Sequence, residues 1–205
     1  AGGATTTADS NTAVGADALL VNSTGASNTA VGALALDANT TGAANVALGY
    51  AALGANTTAN SNTAIGKDSL LANTTGTRNT SVGASALKTV TTASYNTSVG
   101  NDSLGVNTGA SNTAVGDQAL AANSTAAMNV AVGAGAGDAV TTGGDNVYVG
   151  GEAGTTATTG TDNVAVGRAA MNNTTTASNN TAVGSNALYA NTTGTGNTAV
   201  GKGAG

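Results

Sequence analysis

The chain has 205 residues, a formal net charge of −5, 7% charged residues, and no Cys, Pro, His, Trp or Phe. This composition excludes disulfide staples, histidine triads, thiol nucleophiles and zinc centres. Five scattered basic residues leave no nucleic-acid footprint. No apolar run approaches the roughly 18 residues of a membrane-spanning helix, and no signal-peptide pattern precedes the first repeat.

Val, Leu, Ile and Met together number 33, too few for a thick globular core. A chain so poor in large apolar residues would be disordered if they were placed at random. Their placement is instead strictly periodic. Asn-Thr-Ala-Val-Gly or a close variant begins at Asn11, Asn28, Asn45, Asn62, Asn79, Asn96, Asn112, Asn129, Asn146, Asn163, Asn180 and Asn197. Ten of the eleven spacings are 17 residues and one is 16. A period of this kind marks a stacked-repeat architecture in which each repeat contacts mainly its neighbours. The repeats from Asn11 to Gly205 form a single repeat domain over 1–205, with residues 1–10 as a partial coil.

With each repeat numbered from its Asn, positions 1–4 read as a short strand, because Thr and Val suit a pleated surface. Alternation sends positions 2 and 4 to one face and position 3 to the other. Position 4 is always Val, Leu or Ile, and position 5 is always Gly, which ends the strand at a corner. Position 8 is always Ala or Ser, and position 9 is mostly Leu, from Leu19 to Leu188. Positions 8–11 are expected to form a second strand. Positions 12–15, as in Asn39-Thr40-Thr41-Gly42, are expected to form a second corner. Helix is disfavoured by the Gly, Asn and Thr content and by the lack of a 3.6-residue stripe.

All fifteen charged residues fall at positions 6, 7, 10, 16 or 17. Charges avoid dry interiors, so positions 6–7 and 16–17 are expected to be exposed corners, and positions 4 and 8 are expected inside, with position 9 open to either side. The reading is an all-β parallel β-solenoid with 17 residues per coil and about twelve coils. At about 4.8 Å per rung it would make a rod of roughly 55–60 Å. The position-1 Asn amides should stack as a ladder. The one short rung, Asn96 to Ser111, lacks a residue near Asn107-Thr108-Gly109, a corner where deletion costs least.

Asn45-Val46-Ala47-Leu48-Gly49 with Ala52, Asn129-Val130-Ala131-Val132-Gly133 with Ala136, and Asn163-Val164-Ala165-Val166-Gly167 with Ala170 resemble the head repeats of YadA-like trimeric autotransporter adhesins. Similar arrays occur in phage tail-fibre shafts and bacterial surface fibres. The resemblance covers nearly the whole chain and implies a left-handed β-roll in a homotrimer. The Asn-Thr-Thr-Gly corner here is longer than in the adhesin heads.

Oligomerisation also has a physical argument. Neighbours at positions 8 and 9 of a strand cannot share a face, so the Leu column is expected on the outside, as an apolar stripe buried along a three-fold axis. The alternative is a corner at position 8 or 9 that turns both residues inward. The chain starts and stops in the same repeat phase, Ala1-Gly2 and Ala204-Gly205, with no capping element. Uncapped ends suggest a segment of a longer fibre or head-to-tail polymerisation.

No catalytic, cofactor or metal site is expected. Asp17, Asp68, Asp102 and Glu152 share position 7 but lie two or three rungs apart, roughly 10–15 Å by rung spacing. Gly133-Ala134-Gly135-Ala136-Gly137 lies in repeat phase with no helix after it, and Gly143-Gly144-Asp145 is not iterated, so neither phosphate nor calcium binding follows. The Asn-x-Ser/Thr sequons at Asn22, Asn39, Asn56, Asn73 and Asn191 read as turns rather than glycan sites. The expected function is a structural or adhesive extracellular fibre on a cell or virion surface, with itself as partner and an unidentified surface or glycan receptor. A phage tail-fibre shaft is one alternative. An ice-binding solenoid using the Thr columns of positions 12–14 is another, against which stand the breaks at Val90, Ala126, Val140 and Ala157.

Overall fold

The computed structural model describes residues 8–205. It is an all-β parallel β-solenoid with one coil per repeat. Among the described residues there is no helix, and so none long and apolar enough to cross a membrane. The chain packs as two compact units, one ending at Asn101 and the other spanning Asp102–Gly205. The first holds β1 (Thr12–Val14), β2 (Thr29–Val31), β3 (Val46–Leu48), β4 (Thr63–Ile65), β5 (Thr80–Val82) and β6 (Thr97–Val99). The second holds β7 (Thr113–Val115), β8 (Val130–Val132), β9 (Val147–Val149), β10 (Val164–Val166), β11 (Thr181–Val183) and β12 (Thr198–Val200). Within each unit, successive strands pair in parallel and in register, so Ala30 faces Ala47 and Val166 faces Val183.

The strand is three residues long and occupies positions 2–4. Its faces are inverted relative to expectation. Position 3 is buried in every strand from β2 to β12, whereas the position-4 side chains lie outside, with Val14 57% and Leu48 46% exposed. Position 1 carries a buried Asn, and alternation then puts position 3 inside and positions 2 and 4 outside. The interior admits Ala and Ser on this wall, and the bulkier β-branched residues take the outer face.

The corner at position 5 is as expected. Gly32 has φ +137°, and a Cβ there would lie 2.4 Å from the Gly49 carbonyl oxygen of the next rung. The second strand does not form. Positions 7 and 9 both adopt positive φ, for example Leu34 at 59° and Leu36 at 51°, which breaks any extended run. Backbone bonds still stitch this stretch from rung to rung, as in Leu34 N–H to the Ala16 carbonyl (3.0 Å) and Leu36 N–H to the Ala52 carbonyl (3.1 Å).

The same left-handed turn at position 9 places Leu inside. Leu19, Leu36, Leu53, Leu70, Leu87, Leu104 and Leu120 are all essentially fully buried, together with Ala or Ser at position 8. The expectation of an external Leu stripe is therefore overturned. It presumes an extended backbone at positions 8–9, and the actual corner turns both side chains inward. No Leu column is left outside to line a three-fold axis.

Three rungs replace the position-9 Leu by Gly, at Gly137, Gly154 and Gly205, and at the first two the vacated space is filled from another wall. Tyr148 takes the place of Ala at position 3 of β9 and is 1% exposed. A Cβ on Gly154 would meet its ring at 2.3 Å, and one on Gly137 at 2.8 Å.

Candidate functional site

The side-chain chemistry of each rung is concentrated in its second corner. The position-1 amide closes the coil. Asn45 Nδ2 donates to the Ala59 carbonyl at the end of its own rung (2.8 Å), and its Oδ1 accepts from the backbone N–H of Asn62 in the next (2.9 Å). This ladder is the one expected from the sequence.

A second buried amide ladder stands beside it. Sequence reasoning misses it, because Asn at position 12 reads as an ordinary turn residue. Asn39 donates to Asn22 Oδ1 (2.8 Å) and Asn56 donates to Asn39 Oδ1 (2.8 Å). Each also donates to its own position-15 carbonyl, which thus receives both amides of the rung: Gly42 O accepts from Asn28 (2.8 Å) and Asn39 (3.0 Å). The signal available in the sequence was Val90, Val140 and Ala157 at position 12, since an exposed turn has no use for Val. Those residues are buried and interrupt the amide ladder. Where the next rung offers Val, the preceding amide oxygen, Asn73 Oδ1 or Asn123 Oδ1, is left without a partner.

Burial decides four of the five sequons; the fifth, Asn191, is half-buried with its amide on the Gly194 carbonyl (2.9 Å). Asn22, Asn39, Asn56 and Asn73 are fully buried with their amides bonded, so an N-linked glycan there is incompatible with the fold. The two threonines of the corner differ in environment. At position 13 the hydroxyl donates to the next rung's carbonyl, as in Thr40 to Thr57 O (3.0 Å) and Thr141 to Thr158 O (3.1 Å). At position 14 the side chain is exposed in every rung that has one. The breaks at Val90, Val140 and Ala157 thus fall in the buried amide column, and Ala126 falls in the small buried column at position 15; none interrupts the threonine pair.

The short rung keeps this corner's frame. Asn107 turns its amide onto the Gly109 carbonyl two residues on (2.7 Å), and its Oδ1 still accepts from Asn123 (3.0 Å). Thr108 takes the position-13 role toward Ser124 O. The missing residue is position 14.

The acidic residues do not converge. Asp17, Asp68, Asp102 and Glu152 stay in separate rungs at position 7, with Asp68 beside Lys67 (3.9 Å) and Glu152 beside Arg168 (3.8 Å). Among the described residues there is no cluster of metal-ligating side chains and no pocket. Two position-10 carboxyls, Asp37 and Asp138, have their pKa raised by partial burial, which outweighs nearby backbone hydrogen bonds. Burial likewise raises the Tyr148 phenol, whose oxygen has no partner. Arg78 and Tyr95, both at position 17, pair across adjacent rungs through a 2.7 Å hydrogen bond, with the guanidinium 5.5 Å from the ring centre.

Comparison with protein families, with curated proteins and with solved structures finds no match.

Proposed function

We propose that the chain is a structural, adhesive subunit of an extracellular fibre, on a cell or virion surface, assembled as a homotrimer through the outer faces of its strands. The observation that carries this reading is the position-4 column. It is aliphatic in all twelve rungs, it is exposed or half-buried throughout, and no charge occurs at positions 1–5. A contiguous aliphatic column on the outside of each unit is the kind of surface that marks an interface. The Leu column has no such role. Variable charge sits at positions 6, 7, 10, 16 and 17, where repetition would let weak contacts with a surface receptor add through avidity. The resemblance to adhesin heads and tail-fibre shafts supports the same reading.

Light scattering with negative-stain imaging of one sample tests it. A discrete mass near three times 19.0 kDa, lost when Val31 and Val82 are both changed to Lys, is the expected result. A polydisperse mass with long fibres identifies a polymerising filament subunit. A monomer at all concentrations overturns the trimer.

Ice binding is a second reading, on a different surface from the corner. The position-13 hydroxyls are consumed by rung-to-rung bonds. Those of Thr12, Thr29, Thr63 and Thr80 at position 2 are not, and they share the outer face with the position-4 aliphatics. Thermal hysteresis abolished by Thr29→Lys would favour it; zero hysteresis removes it.

A further inference from the structure

Position 14 poses a question that packing does not answer. All ten 17-residue rungs with a complete corner carry Thr there, from Thr24 to Thr193, and all ten are exposed. Invariance elsewhere in the rung has a visible cause: a buried amide at position 1, a positive φ at position 5, a tightly packed small residue at position 8. The β-branched residues of positions 2 and 4 are explained by the pleat. Other exposed positions vary, and position 17 alone runs through Ser27, Arg78, Tyr95, Met128 and Asp145. Position 14 is the one exposed side chain held to a single residue type.

Its hydroxyl has no structural task. Thr40 and Ser23 at position 13 each donate to the next rung, whereas the neighbouring Thr41 and Thr24 contribute backbone bonds only. The short rung is a built-in control. It lacks position 14 altogether, yet Asn107 remains in the amide ladder and Thr108 makes the position-13 contact. The corner closes without this residue, and every full-length corner nevertheless keeps a threonine.

We propose that the position-14 threonines are acceptors for O-glycosylation by a sugar transferase. Thr Oγ1 forms a bond to the anomeric carbon of a nucleotide-activated sugar. The bond from that carbon to the diphosphate breaks, the nucleoside diphosphate leaves with the electron pair, and the hydroxyl proton passes to a base of the transferase. The site suits this chemistry. It is an exposed bend flanked by Gly or Ala at position 15, with no charge at positions 11–15 in any rung. Phosphate is disfavoured as the added group, because dianions about 4.8 Å apart on successive rungs would repel on a chain already at −5. Two residues earlier, the sequon asparagines Asn22, Asn39, Asn56 and Asn73 are sealed inside, so the acceptor of these corners is the second threonine.

The test is fragmentation mass spectrometry, with electron-transfer site mapping, of peptides from protein isolated from the cells that produce it. Glycosyl mass increments are expected on Thr41, Thr58 and Thr75, with Asn39, Asn56, Thr40 and Thr74 bare. A Thr41→Val variant made in the same cells should lose one increment and keep the parent's circular dichroism spectrum and melting temperature. Bare peptides throughout overturn the proposal, as do sugars on position 13 or on asparagine.

Discussion

At the scale of single residues, the most informative exchange is that of Leu for Gly at 137 and 154 with Ala for Tyr at 148. One aromatic ring replaces two aliphatic side chains drawn from a different wall of the coil, so the three positions should be energetically coupled. Tyr148→Ala is expected to cost about 3–5 kcal/mol through the cavity it leaves. Gly154→Leu alone should also destabilise. Its φ of 62° is compatible with Leu, which takes 51° at Leu53, but the new side chain would run into the ring. Together the two changes should cost less than their sum by about 1–3 kcal/mol, as measured by a double-mutant cycle in denaturant. Tyr148→Phe removes a buried hydroxyl that has no partner and should stabilise by about 1 kcal/mol. Asp138 provides a pH test. Its folded pKa lies above 3.8 because burial disfavours the carboxylate, so the folded state holds the proton more tightly than the unfolded chain. Its stabilising contribution is full below the unfolded value and is lost as pH rises through the folded one. Asp138→Asn should therefore raise stability at neutral pH and flatten the decline across the weakly acidic range, as read by melting temperature against pH.

At the scale of the rung, the two amide ladders should differ in cost. Asn45→Ala strips a donor from the Ala59 carbonyl and an acceptor from the Asn62 N–H, both deep in the coil. The Ala59 carbonyl keeps its second donor, Asn56 Nδ2 (3.2 Å), so the Asn62 N–H is the buried group left unpaired, and the loss should be about 1–3 kcal/mol. Asn56→Val at position 12 should cost less, because Val90 and Val140 already occupy that column in native rungs. Urea denaturation of both variants checks the order. The same contrast explains what was legible in the sequence. The period, the parallel stacking, the glycine corner at position 5, the position-8 wall and the first Asn ladder all follow from residues whose alternatives are few. The inversion of the strand was legible in principle: a stacked interior Asn at position 1 and period-two alternation place Ala13 and its equivalents inside, and Val14 and its equivalents outside. Ranking Val above Ala by hydrophobicity pointed the other way, because it ignores how narrow this wall is. The burial of Leu36 and its equivalents was not legible, since it depends on a left-handed backbone at a non-glycine residue, which local propensity disfavours. The second ladder was hidden because Asn-Thr-Thr-Gly has the composition of a solvent-exposed turn.

At the scale of the molecule, the register makes each rung an interchangeable unit. Within each unit, three columns hand the same bond from rung to rung: position 1 to position 1, strand to strand, and position 13 to position 13. Stability in such an array is close to a sum of rung terms and nearest-neighbour interfaces. Removing residues 45–61 as a block should therefore preserve the fold. β2 would meet β4 with Thr29 beside Thr63 and Val31 beside Ile65, and Asn28 Oδ1 would accept from Asn62 N–H as it now does from Asn45 N–H (3.0 Å). The new junction would also place Asn39 against Asn73, keeping the position-12 ladder amide to amide. The deletion variant should unfold cooperatively, with an unchanged circular dichroism spectrum per residue and an m-value reduced in proportion to the surface lost. A deletion of eight residues within the same rung, 45–52, removes the same strand and glycine corner but breaks every column at once. It should abolish the cooperative transition. Equal behaviour of the two deletions would mean that columnar register is not what holds the coil.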